Sequence, residues 1–244
     1  MKMSEFNRSE YYENTESLQS YILRVLTKMG LGLAVTAAIA YACYYSLISY
    51  GIMYTFMIDM YPVSTIGMLV AQLGVCMYLS FRLTRMESTT ANVLFYIYAV
   101  LTGITFSTLP IYFGMLTVFQ AFLYAAVMFG SCVVIGHTTN VDMSRFGGLL
   151  LGALVSLIVC SVLQLLIPAL RTDSFTLIIS YAGIFIFLLL TAFDMQRIKE
   201  FYRVSAADAH LGENLAVYGA FQLYLDFINI FLKVLRILGS RRRN

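Results

Sequence analysis

No tryptophan occurs among the 244 residues, and proline appears only three times. Charge is scarce as well: Asp, Glu, Lys and Arg together make up 12% of the chain, where a soluble domain carries about 25%. That deficit excludes an ordinary water-soluble surface. The 16 Lys+Arg and 13 Asp+Glu leave a net charge of +3, with the basic residues in short clusters, so nucleic acid is not an expected partner. Cys43, Cys76, Cys132 and Cys160 each stand alone inside an apolar run. They read as small hydrophobes rather than as disulfide or zinc ligands. His137 and His210 lie in separate polar breaks without metal-ligand spacing and are expected in loops. The N-terminal segment is mixed polar, with Glu5, Glu10, Glu13 and Glu16, so no cleaved signal is expected and the first apolar helix serves as its own insertion signal.

What is abundant is apolar side chain: 60% of residues are hydrophobic and the mean hydropathy is +0.79. A helix needs about 20 mostly apolar residues to cross roughly 30 Å of hydrocarbon. Such runs occur at 29–50, 63–81, 92–110, 114–136, 146–168 and 175–195. The first five contain no Asp, Glu, Lys or Arg, and breakers or charges such as Gly51, Pro62, Pro110 and Pro168 mark the ends. A seventh run, 214–238, differs in carrying Gln222, Asp226, Asn229, Lys233 and Arg236. The expected fold is all-α: a polytopic membrane bundle of seven transmembrane helices, with residues 1–27 as a polar N-terminal tail and 28–244 as one transmembrane domain.

Orientation follows from the basic residues of the connections. Arg82 and Arg85, then Arg145, then Arg197, Lys199 and Arg203 fall in alternate loops, on the side of Lys2, Arg8, Arg24 and Lys28. The N-terminus is therefore expected in the cytoplasm. Arg241, Arg242 and Arg243 run against the trend if the seventh run crosses fully, as its length favours.

An ionisable residue within a span is costly and marks a functional hypothesis by default. Asp194, near the end of run six, and Asp226, in the middle of run seven, are the two candidates. If the two runs form a hairpin turning between Ser205 and Gly212, both carboxyl groups come to one level, provided that helix six continues through Ile198 and Phe201. At 100° per residue, Gln222, Asp226, Asn229 and Lys233 fall on one stripe of helix seven. That stripe is unsuited to lipid, which makes the last helix the central one, its polar face turned to helix six and the end of helix two. Two adjacent carboxyl groups in low dielectric compete for one proton, which makes a pH switch, and Arg82 or Arg85 could oppose that sharing. The plainer alternatives are an Asp194–Arg197 pair at i+3 and a packing role for Asp226. Gly103, Gly147, Gly148 and Gly152 are expected at helix contacts, the last two at a GxxxG-like spacing.

Three segments carry a family resemblance: Thr191-Ala192-Phe193-Asp194-Met195-Gln196, Tyr224-Leu225-Asp226-Phe227-Ile228-Asn229-Ile230-Phe231-Leu232, and Leu101-Thr102-Gly103-Ile104-Thr105. They resemble the signature segments of the Bax inhibitor-1 (transmembrane Bax inhibitor motif) family in its bacterial form. The resemblance implies seven helices with the last wrapped by the other six. It also implies a pH-sensitive calcium leak across the membrane, gated by an aspartate pair that Asp194 and Asp226 match and locked by an arginine matched by Arg82 or Arg85; the compact loops, with little room for eukaryotic sorting signals, make a bacterial plasma membrane the expected location. Gln72 stands where many members carry a Glu. Asp194 and Asp226, helped by Gln222 and Asn229, would be the transient calcium ligands. Calcium takes roughly six to eight oxygens, so this set suits passage rather than tight binding.

No resident cofactor and no enzymatic activity are expected. An intramembrane aspartyl protease would need glycines before its second Asp, where Leu223 and Leu225 flank Tyr224, and Pro168-Ala169-Leu170 precedes both aspartates instead of following them. The resemblance also implies an alternative: an interaction protein that regulates an ATP-dependent membrane protease, or a cell-death or stress response, without transport. Its expected partners are the lipid bilayer, calcium ions and another membrane protein.

Overall fold

A computed structural model of the chain describes residues 17–49, 51, 54, 60, 63–82, 86–139, 141–170, 172–205 and 209–241. Seven helices among them are long and apolar enough to cross a membrane. They are α1 (Leu18–Ile48), α2 (Val63–Arg82), α3 (Ser88–Phe106), α4 (Met115–Thr138), α5 (Gly147–Leu166), α6 (Asp173–Ser205) and α7 (Ala209–Arg241). A short helix, Leu109–Phe113, extends α3 after one turn. The seven expected runs thus each become one helix.

Local chemistry sets the ends. Ser17 caps α1 by accepting from the Ser20 amide at 3.2 Å. Gly114 separates the short helix from α4 at φ 80°, a backbone conformation that disfavours a side chain. Pro168 follows the end of α5 directly. The first helix begins at Leu18, well before the first apolar run, because Tyr21, Ile22 and Val25 bury their side chains against the bundle. With 31, 33 and 33 residues, α1, α6 and α7 are longer than a bilayer requires. Helix six does continue through Ile198 and Phe201, and ends at Ser205.

The last helix is the central one. In its membrane window 67% of residues are buried inside the protein, against 39% for α6 and 11% for α5. Its broadest contact is with α6, and it also packs on α4, α1 and α3. The other two helices are peripheral: α2 docks mainly on α3, and α5 mainly on α6. The expectation of six helices around one is thereby corrected: four helices make the main contacts with α7, and α2 and α5, rich in exposed apolar side chains, lie outside them.

Bare backbone makes the tight crossings. A Cβ at Gly136 of α4 would sit 2.5 Å from the Ala192 carbonyl oxygen of α6, and one at Gly103 of α3 would sit 2.7 Å from that of Thr36 on α1. Gly219 of α7 abuts Ile198 of α6, and Gly183 of α6 abuts the stem of Lys233. Gly103 meets its expectation, and Gly147 lies close to Phe193. Gly148 and Gly152 do not: both are exposed with open space where a Cβ would go, since that face of α5 points away from α6.

One end of the bundle is held by charge. Glu213, in the first turns of α7, accepts from Arg24 and Lys28 of α1, each at 2.8 Å. Lys28 also donates to Asn92 of α3 at 2.8 Å, and Asn214 donates to the Met86 carbonyl at 2.9 Å. Three helices are thus tied together at the end of the bundle where α6 ends and α7 begins, its hairpin face.

Two outcomes test this packing. Gly136→Val and Gly103→Val should each cost about 1–3 kcal/mol by overpacking, lowering the thermal midpoint of the detergent-solubilised protein, while Gly148→Val leaves it unchanged. Glu213→Gln should lower the midpoint more than Arg24→Gln does, because Glu213 serves two cations; equal midpoints for both variants and the parent would show that the cluster holds nothing.

Candidate functional site

The site is built on the α6–α7 hairpin. Each residue of the first signature segment has a distinct task there. The Thr191 hydroxyl donates to the Phe187 carbonyl at 2.8 Å and lies within hydrogen-bonding reach of Asp226. Ala192 receives Gly136 of α4, and Phe193 meets Gly147 of α5. Met195 is fully buried. Gln196 reads the α4–α5 loop, accepting from the Met143 amide at 3.0 Å and donating to the Val141 carbonyl at 2.8 Å. Lys199, one turn on, donates to the His137 carbonyl. The segment locks α6 to both neighbours and leaves Asp194 facing inward.

The second signature segment anchors α7 through aromatic rings on several sides. Tyr224 packs edge-on against Phe95 and Tyr98 of α3, with centroids 5.6 and 6.0 Å apart. Its hydroxyl lies 2.7 Å from that of Thr36 on α1, which itself lies 3.0 Å from the Gly32 and Ala99 carbonyls. Phe227 packs on Phe122 and Phe129 of α4, and Phe231 on Phe106 of α3. With α7 gripped so closely, the rotation of Asp226 about the helix axis is fixed.

Asp226 and Asp194 are both buried, at 5% and 7% exposure, and the structure brings them near enough to interact electrostatically. Their heights differ from the expectation, however. The contacts Gly183–Lys233 and Ile198–Gly219 fix the hairpin register, and that register sets Asp226 opposite Thr191. Asp194 lies three residues nearer the hairpin turn, about 4.5 Å of helix rise. Asp226 therefore faces Thr191, and the Asp194 carboxyl approaches it from the side of the turn. Its Oδ2 is buried with no hydrogen-bond partner, a costly condition for any carboxyl oxygen. No salt bridge joins either aspartate to a cation among the described residues.

The expected arginine is elsewhere. Arg82 is the last residue of α2 and exposed, on a helix that packs mainly on α3. On the polar stripe of α7, Asp226 and Lys233 face α6. Arg85 lies outside the described residues. The cation that acts on Asp194 is Arg197, one turn along α6. Its guanidinium lies over the rings of Phe201 and Tyr218, at 5.5 and 6.0 Å, rather than in a direct pair with the carboxylate.

On the stripe, Gln222 and Asn229 are half-buried, and the Asn229 amide donates to the Leu225 carbonyl of its own helix at 2.8 Å. Gln72, on α2, donates to Thr105 of the third signature segment at 3.2 Å, so it ties α2 to α3. No group of three His, Cys, Asp or Glu that could hold a metal ion occurs among the described residues. Sequence reasoning did not single out Thr191, the Glu213 cluster or Gln196. Thr191 could have been found from its place on the Asp194 face of α6, but Arg24 and Glu213 are too far apart in the chain for any local pattern to join them.

Similarity to known proteins covers almost the whole chain. The family described as inhibitor of apoptosis-promoting Bax1 matches residues 18–243, beginning where α1 begins. The inner membrane protein YbhL of Escherichia coli (strain K12) is 32% identical over 242 residues, which is 98% of this chain and 100% of YbhL. Protein RP147 of Rickettsia prowazekii (strain Madrid E) is 34% identical over 227 residues, 93% of this chain and 92% of RP147. A protein of Deinococcus radiodurans is 33% identical over 226 residues, 93% of each chain. With seven membrane-length helices, a central last helix and the first two signature segments at its contact with helix six, the chain belongs to the Bax inhibitor-1 family of membrane proteins.

Proposed function

We propose that this protein is a pH-sensitive calcium leak, not an enzyme, with Asp194 and Asp226 as its gate. The observation that carries the reading is the buried Asp226 oxygen without a hydrogen-bond partner, beside a second buried carboxyl group. Two such groups in low dielectric cannot ionise independently. A change in their shared protonation changes the charge held between α6 and α7, the most extensively packed helix pair. Opening would separate α7 from α6, exposing the stripe of Gln222, Asp226 and Asn229.

Two carboxylates and two amides fall short of a full calcium shell. A leak needs an ion to bind weakly enough to leave. Arg197, by its charge near Asp194, takes the part that the family resemblance assigned to Arg82. The proposed setting is a bacterial plasma membrane with a cytoplasmic N-terminus, supported by the inner-membrane location in the name of YbhL and by the alternation of basic loops.

The family description, which names an inhibitor of apoptosis-promoting Bax1, supports a second reading: a membrane interaction protein that restrains a membrane protease or a death or stress response. Deleting residues 1–16 separates the two, since an adaptor would lose its cellular effect while calcium flux stayed unchanged.

Purified protein in liposomes with a trapped calcium dye, followed across pH, tests the leak. Asp226→Asn and Asp194→Asn should each flatten the pH response; a flux and pH profile unchanged in both would remove the gating role. Lys233 shares the stripe and presents a positive charge beyond Asp226, so Lys233→Met should raise calcium flux. A lowered or unaltered flux would mean that the ion does not travel along this face of α7.

A further inference from the structure

Between α1 and α4 the bundle is open. These two helices do not pack closely on each other, and the gap between them is a cavity of about 340 Å³. Its walls include Ala37, Ala40 and Tyr44 of α1 and Val118 and Phe122 of α4, its far end is closed by Pro110, and its floor is Phe227, Ile228 and Phe231 of α7. The rim is open to the bilayer: Tyr41, Phe119 and Met115 are 65%, 57% and 44% exposed. No charged residue lines it. Thr36, the polar residue in its depth, already has its hydroxyl among the Gly32 and Ala99 carbonyls and the Tyr224 hydroxyl.

We propose that this slot holds one acyl chain of a bilayer phospholipid, seated against the central helix. Three features select that occupant. The lining offers neither charge nor a free hydrogen-bonding group at depth, so the occupant is hydrocarbon. The slot runs along α1 from Leu33 to Tyr44, about 16 Å at 1.5 Å per residue. One leaflet's hydrocarbon is about 15 Å deep, half of a core of roughly 30 Å. The opening is lateral and lies in the half of the membrane opposite the hairpin face, where a phospholipid of that leaflet can enter tail-first while its headgroup stays at the level of Pro110 and Gly114.

Small side chains make the room. Ala37 and Ala40 stand one turn apart on α1, and larger residues there would reach the floor. Phe227 and Phe231 of that floor belong to the most deeply buried of the seven helices, and Phe227 adjoins Asp226 in the chain. A tail in the slot therefore touches the helix that carries the gate.

The test uses the full chain reconstituted in phosphatidylcholine vesicles. A tracer phosphatidylcholine carries a diazirine near the end of one acyl chain, and adducts are mapped after irradiation. Adducts on Phe227, Ile228 or Phe231 are expected beside those on exposed lipid-facing residues such as Leu69 and Leu73 of α2. Ala40→Phe and Ala37→Phe should abolish the α7 adducts while those on α2 persist, which shows that the bundle is intact. The proposal is overturned if α7 stays unlabelled while α2 is labelled. It is overturned equally if α7 labelling survives both substitutions, or if α7 is labelled by a diazirine fatty acid and not by the phospholipid.

Discussion

A carboxyl group in the middle of an apolar helix dictates much of this architecture. Asp226 cannot face hydrocarbon without a large penalty, so α7 must be enclosed by protein. Four helices surround it. Enclosure in turn demands close approach, and that is supplied by glycines at the crossings and by rings of α3 and α4 against Tyr224, Phe227 and Phe231. The outer helices are under no such demand. Helix α5 shows this most clearly, with only 11% of its membrane window buried, and its glycines 148 and 152 touch nothing.

The same enclosure leaves the hairpin of α6 and α7 to settle the register, and register decides which groups meet. Gly219 against Ile198 and Gly183 against Lys233 set Asp226 level with Thr191. A slip of one turn would align the two carboxyl groups squarely. As it stands, Asp226 has beside it the Thr191 hydroxyl, whose proton already goes to the Phe187 carbonyl, and a second carboxyl group that competes for a proton. The cluster of Glu213 with Arg24 and Lys28, and the grip of Gln196 and Lys199 on the α4–α5 loop, hold this register from the hairpin face. Gln196 stands only two residues from Asp194, about 3 Å of helix rise, whereas Glu213 stands 13 residues from Asp226, about 20 Å along α7.

Length and apolarity made the seven spans legible in the sequence, because hydrocarbon thickness imposes both. The polar stripe made the central position of α7 legible, because a helix with Gln222, Asp226, Asn229 and Lys233 on one face has few other places to go. What could not be read depends on three dimensions. Residues 18–27 look like a polar tail in the sequence, yet Tyr21, Ile22 and Val25 face the bundle and extend α1. Gly148 and Gly152 carry a contact spacing without a contact, since spacing alone does not say which side of a helix has a neighbour. An Arg82 beside the aspartates requires the end of α2 to reach α7; α2 packs mainly on α3 and leaves Arg82 exposed, and Arg197 acts on Asp194 instead.

All of this turns on whether the two buried carboxyl groups behave as one titrating unit. Infrared absorption of the aspartate carboxyl groups, followed against pH in the reconstituted parent, Asp194→Asn and Asp226→Asn, reads that directly. Replacing either residue should displace the titration of the one that remains, by an amount beyond what the loss of a single band produces. Two bands that titrate alike whether the other carboxyl is present or absent would mean that Asp194 and Asp226 are separate groups, and the enclosure of α7 would then serve packing alone.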